Sequence, residues 1–201
     1  MNKPVWATAV AVNPEPETVE PEPEDLEPVN PTGPTTPDPD SIPAPDAVDR
    51  VPVTRRRQRT NGTHYYLAAH GGAGASTLAH LDPDGADAKG TWPTHPGGQN
   101  VIVVARQTVN GLQAARNLAQ QWGAGAAPGV NLLALITTPA APGKRPAAIA
   151  RDLRTVAGMF PRHYTTEWVG QRLTEPLDEH TPTKAEQRTI RTIQKLSKGQ
   201  P

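Results

Sequence analysis

The chain has 201 residues, enough for one ordinary domain and a tail, and its 24 prolines and 17 glycines against eight aromatics are too many chain breakers for one globule throughout. Residues 1–50 carry eleven acids and two bases while residues 51–201 carry nine and eighteen, so a formal net charge of zero hides a net −9 facing a net +9. The absence of cysteine excludes disulfides and thiolate chemistry, no apolar run reaches the length of a membrane span, and a soluble cytoplasmic protein is expected.

From Asn13 to Pro52 the chain is dominated by Pro, Glu, Asp, Thr and Val, as in Pro14-Glu15-Pro16-Glu17 and Pro21-Glu22-Pro23-Glu24-Asp25. Such a stretch cannot bury enough apolar surface to offset its conformational entropy, and its prolines and like charges favour extended states. Residues 1–60 are therefore expected to form a disordered tail. The tail ends in Arg55-Arg56-Arg57-Gln58-Arg59, an abrupt change of sign. Arg55, Arg56, Arg57 and Arg59 read either as a docking patch for DNA or an acidic protein, or as a solvated linker edge.

A domain is expected over residues 61–175. Tyr65-Tyr66-Leu67-Ala68-Ala69 has strand character and stops at the glycine-rich run His70-Gly71-Gly72-Ala73-Gly74-Ala75-Ser76-Thr77. A short helix opens near Ser76 and is cut off by Asp82-Pro83-Asp84-Gly85, a strong turn signal, so residues 83–99 read as loop. Val101-Ile102-Val103-Val104-Ala105 is continuous and β-branched, the habit of a strand covered on both faces. Val109, Leu112, Ala115, Leu118 and Trp122 then recur at helical spacing, with Gly123 as the expected stop. The unit repeats: Leu132–Ile136 as a second buried strand, and Ile149, Leu153, Val156 and Phe160 as a helix starting near Pro146. Tyr164 to Val169 adds a last strand or extended segment. Alternating strands and helices predict an α/β domain, a small and mostly parallel sheet with flanking helices.

Residues 176–201 are expected to form a linker and a helix. Thr183-Lys184-Ala185-Glu186 has the pattern of a capping box ahead of a helix to about Ser197. At 100° per residue Lys184, Arg188, Arg191, Lys195 and Lys198 fall within about an 80° sector, opposite Ile190, Ile193 and Leu196. The apolar face either docks on the domain or meets a partner, and the basic face suits an anionic surface.

The glycine run reads either as a phosphate-binding loop, in which backbone N–H groups converge on an anion and glycines remove obstructing Cβ atoms, or as a tight strand-to-helix turn that binds nothing. Gly71, Gly72 and Gly74 supply the nest, Ser76 and Thr77 the hydroxyls, and Ser76 is the candidate magnesium ligand. Ala75 stands where such loops place the lysine that meets the β- and γ-phosphates. Arg106, at a buried strand end where open α/β sheets bind ligands, joins the candidate site. The six histidines at 64, 70, 80, 95, 163 and 180 show no metal-binding spacing, and no serine lies in a nucleophile elbow.

The segment from His70 to Ala79 resembles the deviant P-loop of MinD/ParA-type ATPases, Lys-Gly-Gly-x-Gly-Lys-Ser/Thr-Thr, with His70 and Ala75 in place of the two lysines. The resemblance extends over about residues 63–170 and implies a P-loop-like domain; no cofactor is assigned from it, ATP with magnesium being the ligands that such a loop takes where its lysines are present. It departs from that family between the first short helix and Val101, where there is no room for switch regions and no strand ending in a magnesium-binding aspartate is read. His70–Gly74, Val104-Ala105-Arg106 and Trp168-Val169 also resemble a family of small actinobacterial proteins of unknown function, which implies a plasmid-transfer or conjugative setting. The expectation is a non-catalytic accessory protein with a protein partner. Phosphoryl transfer is not expected, because it depends on charges this loop lacks; a nucleotide-binding switch and a non-specific nucleic-acid binder are the alternatives.

Overall fold

The structure is a computed structural model that describes residues 33–55 and 64–199. It is α/β, as the alternation of buried strands and periodic helices predicts. Five strands, β2 (His64–Ala68), β3 (Gly85–Asp87), β5 (Gln99–Arg106), β6 (Val130–Thr138) and β7 (His163–Thr165), form one parallel sheet in the order β3-β2-β5-β6-β7. A separate two-stranded parallel pair joins β1 (Val53–Arg55) to β4 (Trp92–Thr94).

Residues 83–99, read as loop, contain both β3 and β4. Gly-Ala-Asp has little strand propensity of its own. It becomes a strand because β2 has an open edge, along which His64, Tyr65 and Tyr66 align with Gly85, Ala86 and Asp87.

The continuous apolar strands are explained by cover on both faces. Along β5, Val101, Val103 and Ala105 enter one core cluster, which helix α2 (Val109–Gly123) and helix α3 (Ala147–Ala157) share. Ile102 and Val104 enter the opposite cluster, covered by helix α1 (Ala75–Leu81) and helix α4 (Lys184–Ser197). At roughly 1.5–3 kcal/mol for each fully buried large apolar side chain, these two layers outweigh anything the three-residue strands contribute.

The helix α2 ends otherwise than expected. Gly123 lies inside the helix, and Gly125, with φ of 72°, makes the left-handed stop while its N–H donates to the Trp122 carbonyl. Gly123 faces Ile42, whose Cδ1 lies 2.8 Å from where a Cβ would stand.

That contact belongs to a segment expected to be tail. Residues 33–55 lie against the domain instead: the Asp38 N–H donates to the Gly123 carbonyl at 2.8 Å, and Val51 exchanges two hydrogen bonds with the buried Gln121 side chain at 2.9 and 2.7 Å. Gly33 is wedged against the backbone of Phe160, whose carbonyl oxygen would stand 2.7 Å from a Cβ. Few apolar residues are needed, because backbone groups and one buried glutamine hold the segment. The rest of the expected tail, residues 1–32 and 56–60, lies outside the described residues.

Helix α4 begins with the expected capping box, Thr183 and Glu186 each accepting from the other's backbone N–H. Ala185, Ile190 and Ile193 are buried, so its apolar face docks on the domain. No helix among the described residues is long and apolar enough to cross a membrane.

Candidate functional site

The chain runs from β2 outward to β3 and then back to β5 on the other side of β2, so the loops after β2 and β5 diverge at the C-terminal edge of the sheet. Open parallel sheets bind ligands in the crevice at such a reversal. A cleft of about 610 Å³ occupies this place, reaching from the glycine loop across Arg106 and Thr138 to Thr166 and Trp168 beyond β7. All the expected loop residues, Gly71, Gly72, Gly74, Ala75, Ser76 and Thr77, line it together with Arg106.

Gly72 and Gly74 have φ of 75° and 99°, a conformation that favours glycine. Gly71 is different, since its φ is not positive and a Cβ added there would meet nothing within 4 Å. Nothing in the fold requires glycine at 71, and its missing side chain leaves the loop backbone open to the cleft. Ala75 is buried beneath the loop and brings no charge.

His70 fixes the loop to β5. Its Nδ1 donates to the Gly71 carbonyl at 2.8 Å, and its Nε2 accepts from the Arg106 backbone N–H at 3.1 Å, which selects one neutral tautomer. Arg106 Nε donates in turn to the Gly72 carbonyl at 2.9 Å. His70 thus acts as a connector between the glycine loop and β5.

The loop's other flank holds a pair the sequence reading did not anticipate. Strand β3 ends in an aspartate, and Ser76 Oγ donates to Asp87 Oδ2 at 2.6 Å. Contrary to the expectation that no strand before Val101 ends in an aspartate, β3 does so. Burial pushes the Asp87 carboxyl up, but hydrogen bonds from Ser76 and the Lys89 backbone, with the Lys89 charge, outweigh it and hold the group below the usual carboxylate value. Eleven residues separate Ser76 from Asp87, and only the register of β3 on β2 brings them together.

At the far end, Thr138 and Thr166 share a hydrogen bond of 2.8 Å, and the Trp168 ring packs so closely on Gly170 that a Cβ there would stand 2.7 Å from it. Arg172 forms a two-pronged pair with the buried Glu186, which ties the segment bordering the cleft to the first turn of α4. Beside the cleft, burial and then the nearby Arg145 charge push His163 down to about 4, and its ring meets Thr137 Oγ1 at 2.9 Å.

A second polar cluster lies away from the cleft. Asp82 accepts from His64 Nε2 at 2.8 Å, from Tyr66 OH at 2.7 Å and from Gln194 Nε2 at 2.7 Å, while His64 Nδ1 meets Ser197 Oγ at 3.0 Å. Ser, His and Asp are the residues of a nucleophilic triad; here His64 and Asp82 are buried and Ser197, in the last turn of α4, is half-buried. The cluster fastens α4 to β2. Hydrogen bonds from His64, Tyr66 and Gln194, with the His64 charge, overcome the upward push of burial and hold the Asp82 carboxyl low.

Residues 62–187 match a family of unknown function, DUF6668. The chain belongs to that family. No curated protein and no solved structure matches it. The matched span contains the glycine loop, Asp87, Lys89, Arg106 and the Arg172–Glu186 pair, and it ends inside α4, before Gln194 and Ser197.

The basic residues do not converge on the cleft. Lys184, Arg188, Arg191 and Lys195 lie exposed along the outer face of α4, and Arg55 is exposed at the end of β1. Arg56, Arg57 and Arg59 lie outside the described residues. Among the described residues no cluster of three or more His, Asp or Glu side chains is arranged to hold a metal.

Proposed function

We propose that this domain binds a phosphate-bearing ligand in the cleft and acts as a non-hydrolytic interaction component. The observation that carries the reading is the Ser76–Asp87 pair beside an unobstructed glycine backbone. Backbone N–H groups and hydroxyls receive phosphate oxygens, while a serine oxygen and an ionised aspartate are the hard donors that magnesium accepts. Those two residues therefore fit magnesium with the rest of its shell drawn from water and ligand. A bound magnesium ion would supply positive charge against the phosphate oxygens. The loop lacks its lysine, so the point charge that phosphoryl transfer uses is absent from the loop itself, which favours binding without turnover. A conjugative or plasmid-transfer setting and a protein partner are part of the same proposal, supported by the likeness of His70–Gly74, Val104–Arg106 and Trp168-Val169 alone.

Gly71→Val is the direct test, because the backbone at 71 is not left-handed and a Cβ there meets nothing within 4 Å. Calorimetry with ATP and magnesium should show binding to the wild type and at least a tenfold loss in the variant, with the melting temperature nearly unchanged. Absence of heat with the wild type, or equal binding by both, would overturn the reading.

A second reading, non-specific contact with DNA, is favoured by the exposure of Lys184, Arg191 and Lys195 on a helix whose opposite face is already docked. Affinity for duplex DNA should fall steeply between low and physiological salt and weaken when these three are replaced by glutamine. Binding that ignores both changes would rule out the stripe.

A further inference from the structure

The turn after β3 contains Lys89, the one non-glycine residue with positive φ, 58°, among the described residues. Ala88, Lys89, Gly90 and Thr91 form a tight turn in which Gly90 also has positive φ, 67°, and the Thr91 N–H donates to the Ala88 carbonyl at 3.4 Å. Two consecutive left-handed residues define a type I′ turn, whose first central position favours asparagine, aspartate or glycine. A lysine is strained there and is held by its own N–H, which donates to Asp87 Oδ1 at 2.8 Å. The strain places an ammonium group at the mouth of the cleft. Lys89 Nζ lies 3.5 Å from Asp87 Oδ2, the oxygen that accepts from Ser76, and Lys89 lines the same cleft as the glycine loop.

We propose that Lys89 supplies, from the turn after β3, the cation that the glycine loop lacks at position 75, and that the site thereby selects a polyphosphate chain over a single phosphate. This rests on the phosphate-binding reading above. Without Lys89, the Asp87 carboxylate beside Ser76 would repel an anion in the loop. With it, the two cations of the cleft's loop end flank β2 from both sides, Lys89 beyond β3 and Arg106 at the end of β5. Strands two places apart in a sheet are separated by roughly 10 Å, so cations carried on β5 and just beyond β3 suit an extended chain of phosphoryl groups better than a single phosphate. The remaining charged groups of the cleft do not substitute: Arg172 is occupied by Glu186, and Glu167 carries the opposite sign.

The two roles of Lys89 predict opposite signs in one variant. Lys89→Asn places a preferred residue in the turn and removes the charge, so it should melt at or a few degrees above the wild type while losing about tenfold in affinity. Lys89→Arg keeps the charge and should bind within about threefold of the wild type. The probes are inorganic tripolyphosphate and orthophosphate, titrated calorimetrically into the full chain with magnesium, alongside Gly71→Val. Preference of the wild type for tripolyphosphate, lost in Lys89→Asn and kept in Lys89→Arg, supports the assignment. Tripolyphosphate binding that Gly71→Val abolishes and Lys89→Asn leaves intact would overturn it while leaving the phosphate-binding reading standing. No binding by the wild type would overturn both.

Discussion

Asp82→Ala is expected to lower the stability of the domain by about 4 kcal/mol, because removing one member of a buried charged network leaves its partners desolvated and unpaired. The Asp82 carboxylate accepts from His64, Tyr66 and Gln194 side chains and, at 3.0 Å, from the Asp84 N–H, and it is 1% exposed. Tyr66 is entirely buried, so its hydroxyl has no water to turn to. Asp82→Asn keeps the volume and one acceptor oxygen and should cost less. Its native carboxyl is held below its ordinary value, so this part of the stability is present above the unfolded pKa and disappears as pH falls through the folded one. Urea unfolding at pH 7 and through the acid range measures both effects. A loss below about 1 kcal/mol for the alanine variant, or an unchanged acid limb for the asparagine variant, would contradict the assignment of the network as the clamp on α4.

The second large effect concerns a glycine in the first turn of α2, packed against His70 of the glycine loop. Gly111→Ala should cost about 3 kcal/mol, the upper part of the range for an overpacked interior position. A Cβ at 111 would collide with the Arg106 carbonyl and stand 2.9 Å from both His70 Nε2 and Thr108 Oγ1. None of the three can retreat cheaply: one is backbone, His70 bridges the loop and β5, and Thr108 caps α2 by accepting from the Gly111 N–H at 3.0 Å. The loop should therefore lose its tether as well as the domain its stability. Thr108→Ala, which removes the cap without a collision, should cost only about 1 kcal/mol. Equal unfolding midpoints for Gly111→Ala and the wild type would show that the helix shifts freely, and would break the link between α2 and the loop.

The parts of this fold legible in the sequence are those whose burial is written in consecutive residues. Val101–Ala105 and Leu132–Ile136 reveal strands covered on both faces, and the spacing of Leu112, Ala115, Leu118 and Trp122 reveals a helix with one core face, because each pattern reflects a layer that the element itself contacts. Strand β3 carries no such pattern, since the β2 edge creates it. Its invisibility hid Asp87, and with it the partner of Ser76 and the turn that carries Lys89. The turn at the glycine loop is legible because Gly72 and Gly74 set its conformation locally. The attachment of segment 33–55 is hidden for a related reason: it resides in Gln121, a polar residue next to the apolar stripe of α2, whose buried amide takes its partners from Val51.

The clamp on α4 also sets an order of events. His64 and Ser197 are 133 residues apart, and Asp82 and Gln194 are 112 apart. One face of the sheet, with Tyr66, Ile102 and Ile136, gains Ile193 as cover only after α4 has been synthesised and has found β2. Until then a growing chain presents a partly bare apolar sheet whose closing contacts carry a high loop-closure cost, the condition that slows folding and invites association between chains.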